Sequence, residues 1–131
     1  MRNLILFFAL FSVISCSSDN DNDAPTNQKL VGNWTWKKST GGINGDTYTP
    51  QSTNKTVTLN FSNDQLKVYE NETLVTENNY QVQLKPSIMG GNQYMLIYSQ
   101  DKVSQRFQVD GNKLYLDDEC HDCFSSEYEK Q

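Results

Sequence analysis

Apolar and polar side chains alternate along most of the chain after residue 27, and a period of two residues predicts β-strands. In the clearest example, the segment 55–61, Val57, Leu59 and Phe61 share one face. Turn-forming residues separate such segments, and Asp-Gly-Asn at 110–112 is the strongest hairpin signal. Eight strands are predicted, at 33–38, 55–61, 65–69, 74–84, 93–98, 105–109, 113–116 and 126–130. No segment has a convincing apolar period of 3.6 residues, so little helix is expected.

Eight short antiparallel strands joined mostly by tight turns leave no unpaired edge when the sheet closes on itself. We therefore expect an all-β domain over residues 28–131, an eight-stranded antiparallel up-and-down β-barrel. The interior of such a barrel is filled by side chains or holds one small ligand. An open β-sandwich of the same strands is the alternative, and the number of strands does not separate the two.

The first fifteen residues have the pattern of a secretory signal peptide. Arg2 precedes the apolar stretch 4–11, which is shorter than the 20 or so residues that span a bilayer. The ending Val13-Ile14-Ser15-Cys16 resembles the lipobox of bacterial lipoproteins. That resemblance implies that Cys16 becomes the first residue of the mature protein and carries acyl chains that anchor it in the membrane. The alternative is an ordinary signal peptide followed by a coincidental cysteine.

Residues 16–27 are polar and acidic and contain no large apolar side chain, so they are expected to form a flexible tether. Acidic residues directly after an acylated cysteine resemble the signal that sends some gram-negative lipoproteins to the outer face of the outer membrane. We therefore expect an outer-membrane, surface-exposed protein, with a periplasm-facing one as the alternative. A plain solvated linker would have the same composition.

Gly32-Asn33-Trp34 resembles the Gly-x-Trp opening of lipocalin-like proteins. In that family the Trp lies across one end of the barrel and packs against a basic residue near the end of the last strand. Lys130 is the position that matches, although the family usually has Arg there. Together with the lipobox, the tether and the strand pattern, this motif resembles the small lipocalin-like lipoproteins of gram-negative bacteria.

The composition limits the chemistry that the chain can perform. Its 131 residues carry a formal charge of −5, which argues against binding to nucleic acid. There is one His, His121, and no Gly-x-Ser-x-Gly turn, so a nucleophile with its general base is not recognisable. We therefore expect a protein that is not an enzyme and that uses no cofactor or metal.

Cys120 and Cys123 flank His121 and Asp122 near the end of the chain. Two neighbouring thiols outside the cytoplasm favour a structural disulfide. A metal site is the second interpretation, completed by an acidic neighbour, although structural zinc requires four ligands. A redox-active pair is the third, and the surrounding acidic residues disfavour it because they do not stabilise a thiolate.

Several aromatic residues are expected to face the barrel interior and could bind a ligand there. The candidates are Trp34, Trp36, Tyr80, Tyr98 and Phe107. The favoured hypothesis is a lipid-anchored protein that binds a small hydrophobic or amphipathic ligand. In the alternative, the same aromatics fill a solid core, and the loops 39–51 and 117–125 contact a protein partner in the cell envelope. An enzyme is the third hypothesis, and it rests only on the segment Cys120–Cys123.

Overall fold

A computed structural model describes residues 26–100 and 104–131, and strands dominate this part of the chain. The elements are α1 (Thr26–Leu30), β1 (Gly32–Gly41), β2 (Asp46–Tyr48), α2 (Pro50–Thr53), β3 (Val57–Phe61), β4 (Gln65–Glu70), β5 (Thr73–Pro86), β6 (Asn92–Tyr98), β7 (Ser104–Asp110), β8 (Lys113–Asp118) and β9 (Phe124–Lys130). The predicted signal peptide 1–15, Cys16 and most of the predicted tether lie outside the described residues.

Eight of the strands form a closed antiparallel up-and-down barrel, as the sequence predicts. The strands from β3 to β9 pair in chain order, and β1 closes the ring by pairing with both β3 and β9. Trp34 lies at this closure, opposite Leu59 on one side and Lys130 on the other. A closed barrel has no free sheet edges, so the alternative of an open sandwich is excluded.

Two features of the first quarter of the barrel differ from the sequence prediction. The first strand continues to Gly41 and forms a hairpin with β2, where a loop was expected. The extra length is stabilised from both sides, because Ser39–Gly41 pair with β2 and with β9. In addition, α1 occupies the last two residues of the predicted tether, and fully buried Leu30 ties this helix to the core.

The barrel core is concentrated at the end that α1 covers. Trp34 is fully buried there, and its indole N–H donates a hydrogen bond to the Leu30 carbonyl oxygen at 2.7 Å. The Lys130 Nζ lies 5.2 Å from the centre of the Trp34 ring, which confirms the predicted contact between the first and last strands. The rest of the buried cluster is apolar or aromatic: Leu59, Phe61, Leu66, Tyr80, Leu96, Phe107, Leu114 and Leu116.

The hairpin formed by β5 and β6 separates from the barrel at its tip. β6 pairs with β5 along its whole length but with β7 only over Met95–Ile97. The turn of this hairpin contacts the loop after β8 instead, because the Ser87 Oγ and the Ile88 N–H both donate to the Glu119 carboxylate. The tip therefore bends toward the outer surface of the barrel.

Met95 supports this description, since its side chain is buried although it lies outside the core cluster. Its neighbour Leu96 belongs to the core, and successive side chains of a strand point to opposite faces, so Met95 points outward. Arg106 pairs with Met95 in register and forms an ion pair with Glu119, its Nε lying 3.3 Å from Oε2. The bent hairpin and this ion pair thus occupy the same side of the barrel.

Candidate functional site

A cavity of about 530 Å³ lies at the end of the barrel where α1 enters the fold. It is formed where α1, the β3–β4 turn and the β5–β6 hairpin meet. The residues that line it are Asn27, Asn63, Asp64, Tyr80, Gln81, Val82 and Tyr94. Its volume is within the range of about 300–1,000 Å³ that small-molecule sites occupy.

Tyr80 provides a fixed wall between this cavity and the core. Its ring packs edge-to-face on Phe61, with ring centres 5.4 Å apart, and only 3% of its surface is exposed. Its hydroxyl donates a 2.6 Å hydrogen bond to the Ser62 carbonyl oxygen. Burial, and secondarily the nearby Asp64 carboxylate, raise the pKa of Tyr80. Its phenol is therefore neutral at physiological pH and already has an acceptor.

Tyr94 forms the exposed aromatic surface of the cavity. It lies opposite Leu84 in the β5–β6 hairpin, and the two side chains are 46% and 57% exposed. Val82 contributes a further apolar side chain to the cavity, and it packs against the core cluster. One side of the cavity is thus apolar and accessible to a ligand.

The remaining lining residues are polar, and two of their side chains have free hydrogen-bonding capacity. Within the described part of the chain, the side-chain amides of Asn27 and Asn63 form no hydrogen bond. Among the described residues, the Asp64 carboxylate accepts only a long hydrogen bond from the Ser62 Oγ, at 3.4 Å. Gln81 accepts one from Gln83 through its side-chain oxygen, at 3.3 Å. The lining residues include no Lys, Arg or His, so Asp64 is the one charged group among them.

The five aromatic residues predicted to bind a ligand are not gathered around this cavity. Tyr80 lines it, whereas Trp34 and Phe107 belong to the buried core. Trp36 and Tyr98 do not line it, although Tyr98 pairs with Tyr80 in register, and both use their polar atoms internally. The Trp36 indole donates to the Ser39 Oγ at 2.9 Å, and the Tyr98 hydroxyl has a hydrogen bond to Gln105.

The polar lining residues could not be recognised in the sequence. Asn27 belongs to the predicted tether, and Asn63 and Asp64 form an ordinary turn between two strands. Their common location depends on how α1 and the β3–β4 turn are placed at this end of the barrel, which local alternation does not encode. The sequence indicates only part of the cavity lining, because alternation places Tyr80 and Val82 on one face of β5.

The polar side chains that Trp36 and Tyr98 contact form further hydrogen bonds. The Gln105 side-chain N–H donates to Asp118 at 2.7 Å, and the hydroxyls of Ser39 and Ser126 lie 2.6 Å apart. Burial raises the pKa of Tyr128 to about 12, with the Asp118 carboxylate adding to the effect and a hydrogen bond to Ser126 opposing it. These hydrogen bonds form two groups inside the barrel, one that joins β1 to β9 and one that joins β6, β7 and β8.

Cys120 and Cys123 form a disulfide in the loop between β8 and β9, as predicted. Their Cα atoms are 5.4 Å apart. Both sulfurs are used in this bond, so neither is a free thiolate for metal binding in this structure. Among residues 26–100 and 104–131, no three side chains of His, Cys, Asp or Glu are grouped so that they could hold a metal ion.

Comparison of the chain with family models, curated proteins and solved structures finds no match. The resemblance to lipocalin-like lipoproteins therefore remains a prediction from the sequence motifs. Within the described ranges, no helix is long and apolar enough to cross a membrane.

Proposed function

We propose that this protein is a lipid-anchored outer-membrane lipoprotein that binds a small amphipathic ligand at the end of its barrel. The observation that carries the proposal is the 530 Å³ cavity, which is apolar beside Tyr94 and polar beside Asn63 and Asp64. A cavity with one apolar side and a few polar groups matches a ligand with the same two sides. Tyr80 supplies a rigid wall, so little of the site has to be ordered when the ligand binds.

The proposed ligand binds at the barrel end because the barrel centre is occupied. Trp34, Phe61 and Leu114 are almost completely buried in one packed cluster. Inserting further apolar atoms into such a core typically costs about 1–3 kcal/mol. The hypothesis of a central pocket lined by all five predicted aromatics is therefore less favoured than a site that uses Tyr80 alone among them.

The anchor in this proposal is the acylated Cys16. Asn27 is eleven positions after Cys16, and a fully extended chain of eleven Cα–Cα steps spans at most about 40 Å. Asn27 lines the cavity, so the tether would hold the ligand-binding end near the membrane surface. The acidic residues after Cys16 support a surface-exposed barrel in this proposal, and a periplasm-facing barrel is the alternative.

Metabolic labelling with an alkyne analogue of palmitate tests the anchor. We expect the wild-type protein to be labelled and to sediment with outer membranes, and Cys16→Ser to be unlabelled and absent from the outer-membrane fraction. Protease treatment of intact cells should then degrade the wild-type barrel if it faces outward. An unlabelled wild-type protein would contradict the lipoprotein proposal.

Binding of Nile red, an uncharged amphiphilic dye, tests the site. Tyr94→Ala removes the exposed aromatic surface and should weaken dye binding at least 5-fold. Tyr48→Ala is the matched control, because Tyr48 is 42% exposed and lies on β2, outside the cavity lining. Equal dye binding by the wild type and Tyr94→Ala would contradict the proposed site.

A second candidate function is contact with an envelope protein through the β1–β2 hairpin. Ile43 favours it, because this side chain at the hairpin turn is 90% exposed. A photo-crosslinking amino acid at position 43 should give one discrete adduct in intact cells. The same group at Lys37, on the exposed side of β1, is the control. If position 43 gives no adduct beyond that control, this candidate is excluded.

A further inference from the structure

We infer that the cavity beside Tyr94 binds an uncharged carbohydrate. The inference rests on the proposed function, because it assumes that this cavity is the ligand site. It adds the chemical class of the ligand, and it follows from the charge, the hydrogen-bonding groups and the aromatic surface of the lining.

The charge of the lining disfavours anionic ligands. Asp64 is its one ionised side chain, and the lining residues provide no cation to pair with a carboxylate or phosphate. Placing an anion next to Asp64 costs desolvation and like-charge repulsion, and no ion pair offsets either. Fatty acids and phospholipids with free phosphate groups are therefore poor candidates, although they are amphipathic.

The polar groups of the cavity suit a ligand with many hydroxyls. A side-chain amide provides two N–H donors and a carbonyl acceptor, and a carboxylate provides acceptors only. The amides of Asn27 and Asn63 are unpartnered within the described residues, and Asp64 has one long hydrogen bond. Neighbouring sugar hydroxyls both donate and accept, so they can satisfy these three side chains together. A purely apolar ligand would instead bury them without partners, which is unfavourable.

The aromatic surface suits the apolar face of a sugar ring. Nearly half of Tyr94 is exposed, and Val82 continues the apolar surface toward the core. The C–H groups on one face of a pyranose carry a small positive charge, and the face of a tyrosine ring is negative, so the two attract each other. A ring stacked on Tyr94 would direct its hydroxyls toward the amides and Asp64 on the polar side of the cavity.

A glycan array carrying neutral, uronic-acid and sialylated oligosaccharides tests the inference. The mature chain, residues 16–131 with Cys16→Ser and without the signal peptide 1–15, avoids detergent and leaves every lining residue unchanged. We expect Tyr94-dependent binding to one or more neutral glycans and none to the acidic ones. In calorimetry with the neutral glycan that binds, Tyr94→Ala and Asn63→Ala should each raise the Kd at least 10-fold. Tyr94→Phe and the control Tyr48→Ala should leave it within 3-fold.

Dodecanoate and dodecyl maltoside, used as separate probes, distinguish the two proposals. If dodecanoate binds in a Tyr94-dependent way and no neutral glycan does, the cavity is a ligand site but the carbohydrate inference is wrong. If no probe binds in a Tyr94-dependent way, both the inference and the proposed site fail. Binding of dodecyl maltoside that free maltose does not displace counts against the inference, because the alkyl chain would then be the recognised part.

Reversing the charge of Asp64 gives a second measurement, which compares an anionic probe with the neutral glycan. Asp64→Lys should permit dodecanoate to bind while it weakens the neutral glycan, because the cavity would then pair with an anion. Thermal unfolding monitors whether each variant retains the fold. Unchanged discrimination between dodecanoate and glycan in folded Asp64→Lys would overturn the electrostatic part of the argument.

Discussion

Tyr128, on β9, packs against the barrel core, and its phenol is harder to ionise than that of an ordinary tyrosine. Burial raises its pKa to about 12, whereas a tyrosine in an unfolded chain ionises near pH 10. The folded state therefore holds this proton more tightly, and the resulting stabilisation is fully present below pH 10. It is lost as the pH rises from about 10 toward 12, because only the unfolded chain then releases the proton.

We predict that the free energy of unfolding falls by up to about 2.7 kcal/mol between pH 9.5 and pH 12 because of Tyr128. Urea unfolding followed by circular dichroism at a series of pH values measures this slope. Tyr128→Phe removes the ionisable group and should flatten the slope, while Tyr48→Phe on the surface should not. Part of the slope should remain, because the pKa of Tyr80 is raised as well. Identical slopes in the wild type and Tyr128→Phe would show the prediction to be wrong.

The contact between Trp34 and Lys130 is the residue-level feature that the sequence predicted best. Gly32-Asn33-Trp34 indicated an aromatic residue across one barrel end, and Lys130 was the basic residue near the end of the last strand. The hydrogen bond from the Trp34 indole to Leu30 was not predictable in the same way. It requires α1, a helix of five residues whose sequence continues the polar tether.

At the scale of elements, the β1–β9 pairing depends on a close backbone approach at Gly41. A Cβ atom added to Gly41 would collide with the Cys123 carbonyl oxygen and with Phe124. Both contacts are with backbone atoms, so a side-chain movement cannot relieve them. Gly45, in the turn of the adjoining hairpin, has no atom within 4 Å of the same added Cβ.

We predict that Gly41→Ala destabilises the protein by about 1–3 kcal/mol, because β1 and β9 must separate locally to accommodate the methyl group. Gly45→Ala should cost only the backbone strain of its positive φ, about 1 kcal/mol. Thermal unfolding of the two variants measures the difference. A larger loss in Gly45→Ala than in Gly41→Ala would contradict the close approach.

The Glu119 carboxylate holds the bent β5–β6 hairpin, and Tyr94 belongs to that hairpin. We predict that Glu119→Gln weakens the ion pair to Arg106 and so makes local opening of this hairpin easier by about 1–3 kcal/mol. Hydrogen exchange at residues 84–94 should then be faster by about 5- to 100-fold. Glu129→Gln is the control, because its ion pair with Lys37 is exposed. Unchanged exchange in this hairpin would show that Glu119 does not restrain it.

Most strands could be predicted because each has alternation between recognisable turns, and the all-β class follows from their number, although the number alone does not separate a barrel from a sandwich. The exceptions lack one of these signals. All three residues of β2 are exposed, so no apolar alternation marks the strand. The alternation along β6 places Met95 on the outer face, where an exposed side chain is expected. Met95 is nevertheless buried, on the side where the hairpin tip contacts Glu119. The cavity depends on the same kind of contact between distant segments.

At the scale of the whole molecule, the closure of the barrel brings together residues near the two ends of the described chain. Trp34 pairs with Lys130 in register, and the backbone N–H of Gln131 donates to the Asn33 carbonyl oxygen at 3.0 Å. Contacts between residues so far apart in sequence are costly to form early in folding. When the last strand pairs, it completes the sheet, places Lys130 over the Trp34 ring and adds the partly buried Tyr128 to the core.

We predict that truncation after Asp122 abolishes the cooperative fold, whereas removal of Gln131 alone is tolerated. The longer truncation exposes the edges of β1 and β8 and removes the partners of Trp34 and Trp36 on β9. Free edges of this length promote association between chains, so size-exclusion chromatography should show aggregates and circular dichroism no sharp thermal transition. Deleting Gln131 removes only the bonds to Asn33 and Thr35, so a cooperative transition should persist a few degrees lower. A monomeric, cooperatively unfolding chain that ends at Asp122 would mean that seven strands suffice and that closure by β9 is not what makes the sheet stable.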